Sequence, residues 1–129
     1  MNMLGEKVVV DGEVYNCMND YYRWCGLRRL EIDGKISELK RYVKYVLIPA
    51  QRDESGNLVE HEVSYIVDFE YILDGKKIAE DTGSYARGAA SQLISIKRKL
   101  MLYNFGITVK ESSRAKMDLE AYLKGTELK

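Results

Sequence analysis

The chain has 129 residues, 46% apolar and 31% charged, with 20 basic side chains balancing 20 acidic ones. That composition excludes a disordered chain, whose mark is low hydrophobicity with a large net charge, and the length fits one domain spanning 1–129. No apolar run reaches the roughly 20 residues that cross a bilayer, and the start MNMLGEKVVVDG lacks the basic-then-apolar layout of a secretory signal. Cys17 and Cys25 are the only cysteines. One unbroken helix would hold them about 12 Å apart along its axis, too far for a disulfide, so a cytoplasmic, reducing setting is expected. With His61 as the only histidine, they are also a poor stock for a four-ligand zinc site.

In chain order, KVVVDGEVY reads as two short extended pieces joined at Asp11-Gly12, a tight-turn signal. A helix is predicted from Asn16, a candidate cap, to Glu31, with Tyr21, Trp24, Cys25 and Leu27 on its apolar side and Gly26 weakening its middle. Ile36 to Ile48 changes to β-branched and aromatic residues and stops at Pro49, the only proline, before a polar turn at Ser55-Gly56-Asn57. Strands from Glu62 to Leu73 and from Lys76 to Asp81 flank Asp74-Gly75, a second hairpin signal. Strict alternation would place Tyr65, Val67, Phe69 and Tyr71 on one side of the first, with Ile66, Asp68 and Glu70 on the other.

After the glycine-bounded GSYARG, a helix is predicted from Ala89 to Asn104. Ala89, Leu93, Ile96, Leu100 and Tyr103 recur at helical spacing and form its expected inward stripe. Gly106 ends it, ITVKE reads as a closing strand, and 112–129 as a helical extension with Ala115, Leu119, Tyr122 and Leu123 inward. The order gives an α/β or α+β domain.

Net neutrality hides an uneven layout: residues 53–81 hold nine acids and two bases, whereas 84–110 hold five bases and no acid. Phosphate-cradling glycine loops and a nucleophilic serine elbow are absent, and His61 reads as an exposed bystander. The candidate chemistry is acidic. Asp68 lies within an apolar strand, and the next strand ends in Glu80-Asp81. Carboxylates facing each other on adjacent strands suit Mg²⁺ or Mn²⁺, which can activate water at a phosphoryl group; the bland alternative is a solvated sheet face. Lys97, Arg98 and Lys99, with Arg87, could contact phosphates, although a consecutive triplet spreads around a helix. The ten tyrosines read mostly as packing, with base stacking or protein binding as alternatives.

The stretches VDGEVYNCMNDYYRW, GKISELKRYVKYVL, VSYIVDFEYILDGKKIAEDTGS and SIKRKLMLYNFGITVKE resemble a family of small phage-associated proteins grouped with the PD-(D/E)xK nucleases. The resemblance covers about 7–111, leaving 112–129 as an addition, and implies a small core with a mixed sheet flanked by helices. It further implies a divalent-metal-dependent, structure-selective DNA endonuclease with relatives among junction resolvases, for which a homodimer would suit two strands of a branched substrate. Motif positions fall on Asp20, Asp68 and Asp81 as metal ligands, with Glu80 beside them. The motif lysine falls on Gly83, which cannot orient water or balance phosphate charge; Lys97 or Lys99 on the following helix is the best substitute, and Lys77 is another. The other reading is a catalytically inactive nuclease fold that binds DNA, or that binds and inhibits a host defence enzyme in the manner of an anti-CRISPR protein. In that reading the acidic 53–81 surface acts partly as a nucleic-acid mimic.

Overall fold

A computed structural model describes residues 7–81 and 89–111. The expectations for Gly83, for Arg87 and for a helix within 112–129 therefore lie outside the described residues.

β1 (Val8–Val10) and β2 (Glu13–Tyr15) form the expected hairpin. Asp11 and Gly12 both take positive φ, +52° and +81°, as a type I′ turn requires. α1 (Met18–Ile32) begins two residues later than predicted. Extended Cys17 stands at its N-cap without a side-chain cap bond, and the Asn16 N–H instead donates to the Tyr42 hydroxyl at 2.8 Å. β3 (Ser37–Ile48) leads into a small hairpin where the sequence predicts only a polar turn, β4 (Gln51–Arg52) with β5 (Leu58–Glu60). Asp53 organises it by accepting the Ser55 and Asn57 N–H groups at 2.9 Å. Then come β6 (Val63–Leu73) and β7 (Lys76–Asp81), joined by a second positive-φ pair at Asp74 and Gly75. α2 (Ala89–Phe105) and β8 (Val109–Glu111) complete the described chain. Gly106, at φ +69°, closes α2 by donating to the Leu102 carbonyl at 2.9 Å.

The main sheet has the order β3-β6-β7-β8, with antiparallel neighbours except for the parallel β7–β8 pair. The parallel pair needs a crossover, and α2 supplies it. Its two faces carry separate cores. Leu27 of α1 packs with Ile36, Phe69 and Tyr71, flanked by Trp24, Leu30 and Ile78. Met101 of α2 packs with Leu47, Tyr65, Val67, Ala79 and Ile107. This is the mixed sheet flanked by helices that the sequence implied, a small nuclease-like α/β core.

Two expectations are corrected. Tyr65 and Val67 join the α2-side core while Phe69 and Tyr71 join the α1-side core, so β6 does not keep one apolar face. The change of sides falls at Asp68, opposite the stretch of β3 where Tyr42 takes φ +52° and breaks regular alternation. In α2, Leu100 of the predicted stripe packs half-buried on the core, but Leu93, Ile96 and Tyr103 are 50%, 54% and 86% exposed, and Met101, outside the stripe, is fully buried. At 3.6 residues per turn the predicted stripe is centred about 140° around the helix from the face that contains Ile94, Arg98 and Met101. Burial of a helix face follows from what the sheet offers it, and the spacing of apolar residues alone selects no side.

Candidate functional site

Burying a carboxylate is costly unless it is paired and hydrogen-bonded. Yet the buried charged residues in the described chain are Asp20, Asp68, Glu70, Glu80 and Asp81, all acids, and four of them are the predicted site acids. Asp68 and Glu70 thus do not line a solvated face. Four of the nine acids in 53–81 lie inside the protein, which removes them from any surface that mimics nucleic acid.

α1 contributes Asp20 and, one turn on, Arg23. Residues three apart share a helix face, so both side chains are presented to the same side of the sheet. The Arg23 guanidinium grips Glu80 with two bonds, Nε to Oε1 and Nη2 to Oε2, both 2.7 Å. Glu80 is 1% exposed and also accepts the Tyr71 hydroxyl. Burial, then the Glu80 charge, push the Tyr71 hydroxyl far above the ordinary phenol range. Asp20 is fully buried and accepts the Tyr42 hydroxyl at 2.9 Å and, more weakly, the Cys17 thiol at 3.7 Å. Burial raises Tyr42 strongly, and the charges of Asp20 and Asp68 add to the rise. Burial likewise raises the Cys17 thiol, so it is no activated nucleophile; both cysteines are free.

Across the sheet, the Tyr65 hydroxyl donates to Asp81, and Arg98 of α2 approaches the same carboxylate at 3.5 Å. Arg98 also reaches Glu111 at 3.2 Å and donates to the Tyr65 hydroxyl at 3.4 Å. Burial pulls the Arg98 guanidinium down, but Tyr65, Asp81 and Glu111 together hold it above its ordinary value. Glu70 accepts the Tyr45 hydroxyl, with the ammonium groups of Lys40 and Lys77 each at 3.9 Å.

The predicted acids are therefore divided. Asp20 and Glu80 are held from the α1 side, Asp81 from the α2 side, and Asp68 sits where β6 changes sides. Phe69 pairs with Glu80 across β6 and β7, so Asp68 directly precedes the rung that carries Glu80. The basic group at Asp81 is Arg98; Lys97 and Lys99 form no ion pair among the described residues. Lys77, the other candidate for the missing lysine, stands beside Glu70.

Sequence reasoning misses Arg23 and the hydroxyls of Tyr42, Tyr45, Tyr65 and Tyr71. The helical offset from Asp20 is a signal that points to Arg23. The tyrosines give no such signal, because their rings do pack and only the tertiary fold brings an acid to each hydroxyl. A divalent metal centre fits this arrangement poorly. Among the described residues no three His, Cys, Asp or Glu side chains are placed to hold one metal, and both Glu80 oxygens are bonded to Arg23.

No helix among the described residues is long and apolar enough to span a membrane. No curated protein and no solved structure matches the chain. One family model matches residues 3–117, that of DUF1064, described as a protein of unknown function. This phage-associated domain is broadly linked to the PD-(D/E)xK-like nuclease fold, in agreement with the sheet order and flanking helices. Covering nearly the whole chain, the match places this phage-associated protein in the DUF1064 family.

Proposed function

We propose that this protein uses a nuclease-like fold to bind and does not cut: a catalytically silent relative of the PD-(D/E)xK enzymes. The observation that carries this reading is the bidentate hold of Arg23 on Glu80, which places a fixed cation on a buried acid of the site. Arg98 stands more loosely beside Asp81, at 3.5 Å, and the motif-lysine position is occupied by Gly83. A guanidinium stays protonated at any ordinary pH, so neither arginine can serve as a general base for an attacking water.

Between the two partner classes, a host protein is favoured over branched DNA. Many of the bases that could follow a phosphate track are paired with acids of the chain itself: Arg28 with Glu31, Arg29 with Asp33, Arg41 with Glu13, Lys44 with Glu62 and Arg98 with Asp81 and Glu111. Binding to DNA through those groups would first have to break these pairs.

One observation favours the competing reading, a Mg²⁺- or Mn²⁺-dependent structure-selective endonuclease using Asp20, Asp68 and Asp81. Those three acids are buried on adjacent elements, and a buried ion pair gives a fold little that apolar side chains could not. The deciding experiment is incubation of labelled linear, flapped and four-way-junction DNA with the protein in Mg²⁺, Mn²⁺ or EDTA, beside Asp68→Asn. The expected result is intact DNA throughout. Metal-dependent cutting that is lost in Asp68→Asn would overturn the silent reading.

A further inference from the structure

The outward side of α2 is apolar although its helix is half enclosed by the sheet. Leu93, Ile96 and Tyr103 stand exposed along three turns, while Leu100 between them packs half-buried against the α2-side core and anchors the stripe to it. Exposed apolar residues scattered singly need no explanation, but a stripe at helical spacing on one element marks a contact surface. Its borders are basic. At about 100° per residue, Lys97 lies along one edge and Lys99 along the other, while Arg98 between them turns inward to Asp81 and Glu111. From Ala89 to Phe105 the helix carries these three bases and no acid.

We infer that the exposed Leu93–Ile96–Tyr103 stripe of α2 is a docking surface for an acidic amphipathic helix of a protein partner. The apolar stripe matches the buried side of such a helix, and Lys97 and Lys99 match acids along its two margins. A second copy of this chain fits less well, because pairing two α2 helices sets like charges against each other with no acid on either to offset them. The inference deepens the binding reading by assigning a surface and a partner class. Its failure is separable from that reading, since DNA cutting reports on the carboxylate site and not on the outward stripe of α2.

The test uses the full chain and a fluorescein-labelled helical peptide with leucines on one face and glutamates along both margins. Its partner probe is the same peptide with lysine in place of glutamate. Fluorescence anisotropy should show saturable binding of the acidic peptide and little of the basic one. Ile96→Asp should weaken the acidic peptide by about tenfold or more, as truncation of a central apolar anchor does. The double variant Lys97→Glu with Lys99→Glu should exchange the preference in favour of the basic peptide. Circular dichroism of each variant checks that it folds. Equal binding of both peptides, or of neither, would overturn the inference. So would a dimer in light scattering that Ile96→Asp dissolves, preferential binding to phosphatidylglycerol vesicles, or a gain in peptide affinity on Leu119→Asp. These outcomes would give the stripe to a second copy, a lipid surface or residues 112–129 respectively.

Discussion

Both faces of the sheet bury acids, but they hold them differently and use the flanking helix differently. Under α1, charge is taken inside: Asp20 and Glu80 are buried and matched by Tyr42, Tyr71 and Arg23. Under α2, Asp81 is held by Tyr65 and, more loosely, by Arg98 beside the apolar core around Met101, yet Leu93, Ile96 and Tyr103 of the same helix are left in solvent. A pattern of apolar residues thus reports a surface that needs a partner, and the partner need not be the protein's own sheet. The contrast also separates residues whose removal should damage the fold from residues whose removal should damage only an interaction.

The largest expected effects lie under α1. Arg23→Met leaves the Glu80 carboxylate buried without this cation and should destabilise the protein by about 3–5 kcal/mol in urea unfolding. Replacing both partners, Arg23→Met with Glu80→Met, should recover most of that loss, because the cost comes from the abandoned charge. A double variant as unstable as the single one would show that the α1 side does not depend on charge matching. Phe69→Ala, in the fully buried α1-side core, should cost a similar amount, about 3–5 kcal/mol.

A pH titration reads both faces together. Tyr71 on the α1 side and Tyr65 on the α2 side each have a folded-state pKa raised above the ordinary 10.0, chiefly by burial. Above pH 10 the unfolded chain releases these protons while the folded chain keeps them, so the unfolded state binds fewer protons and stability falls as pH rises. The contribution is fully present below pH 10 and is lost toward the folded-state pKa, at up to about 1.4 kcal/mol per pH unit for each tyrosine. Tyr71→Phe should remove one share of that slope in unfolding curves measured above pH 10. An unchanged slope would show that Tyr71 does not keep its proton under the Glu80 charge.

Smaller effects mark the same division between the faces. Gly26 is buried within α1, and a Cβ built there meets nothing within 4 Å, so Gly26→Ala should stabilise the protein by roughly 0.5–1 kcal/mol. On the outward side of α2, Ile96→Ser should change stability by no more than about 0.5 kcal/mol, whereas an inward stripe residue would cost several times more. A large loss in thermal or urea unfolding at Ile96 would mean that this side of α2 is covered after all.

Several parts of this architecture are legible in the amino-acid order alone. Both Asp-Gly turns are, because their type I′ geometry requires two consecutive positive φ values, which few other residue pairs accept. α1, α2, β6 and β7 are legible to within two residues from periodicity and from Gly106. Of the acids of the candidate site, Asp68 stands out within its apolar strand, and the others are marked by their place at the strand end or by the motif resemblance. Their partners do not, since Arg23 reaches Glu80 across 57 positions of sequence and Tyr65 reaches Asp81 across 16. Nor does the face of β6, because alternation presumes a regular strand and the Tyr42 conformation interrupts it.

Where helices, strands and turns fall is a local matter, governed by sterics and by the spacing of apolar residues along one segment, and the residue order is enough to settle it. The same order sets the concentration of acids before residue 82 and of bases after it. Which cation and which hydroxyl each buried acid receives, and which side of α2 meets the sheet, are settled only when the chain is folded. Both are contests between distant segments for the same space, and their outcome depends on desolvation and packing that no single segment contains.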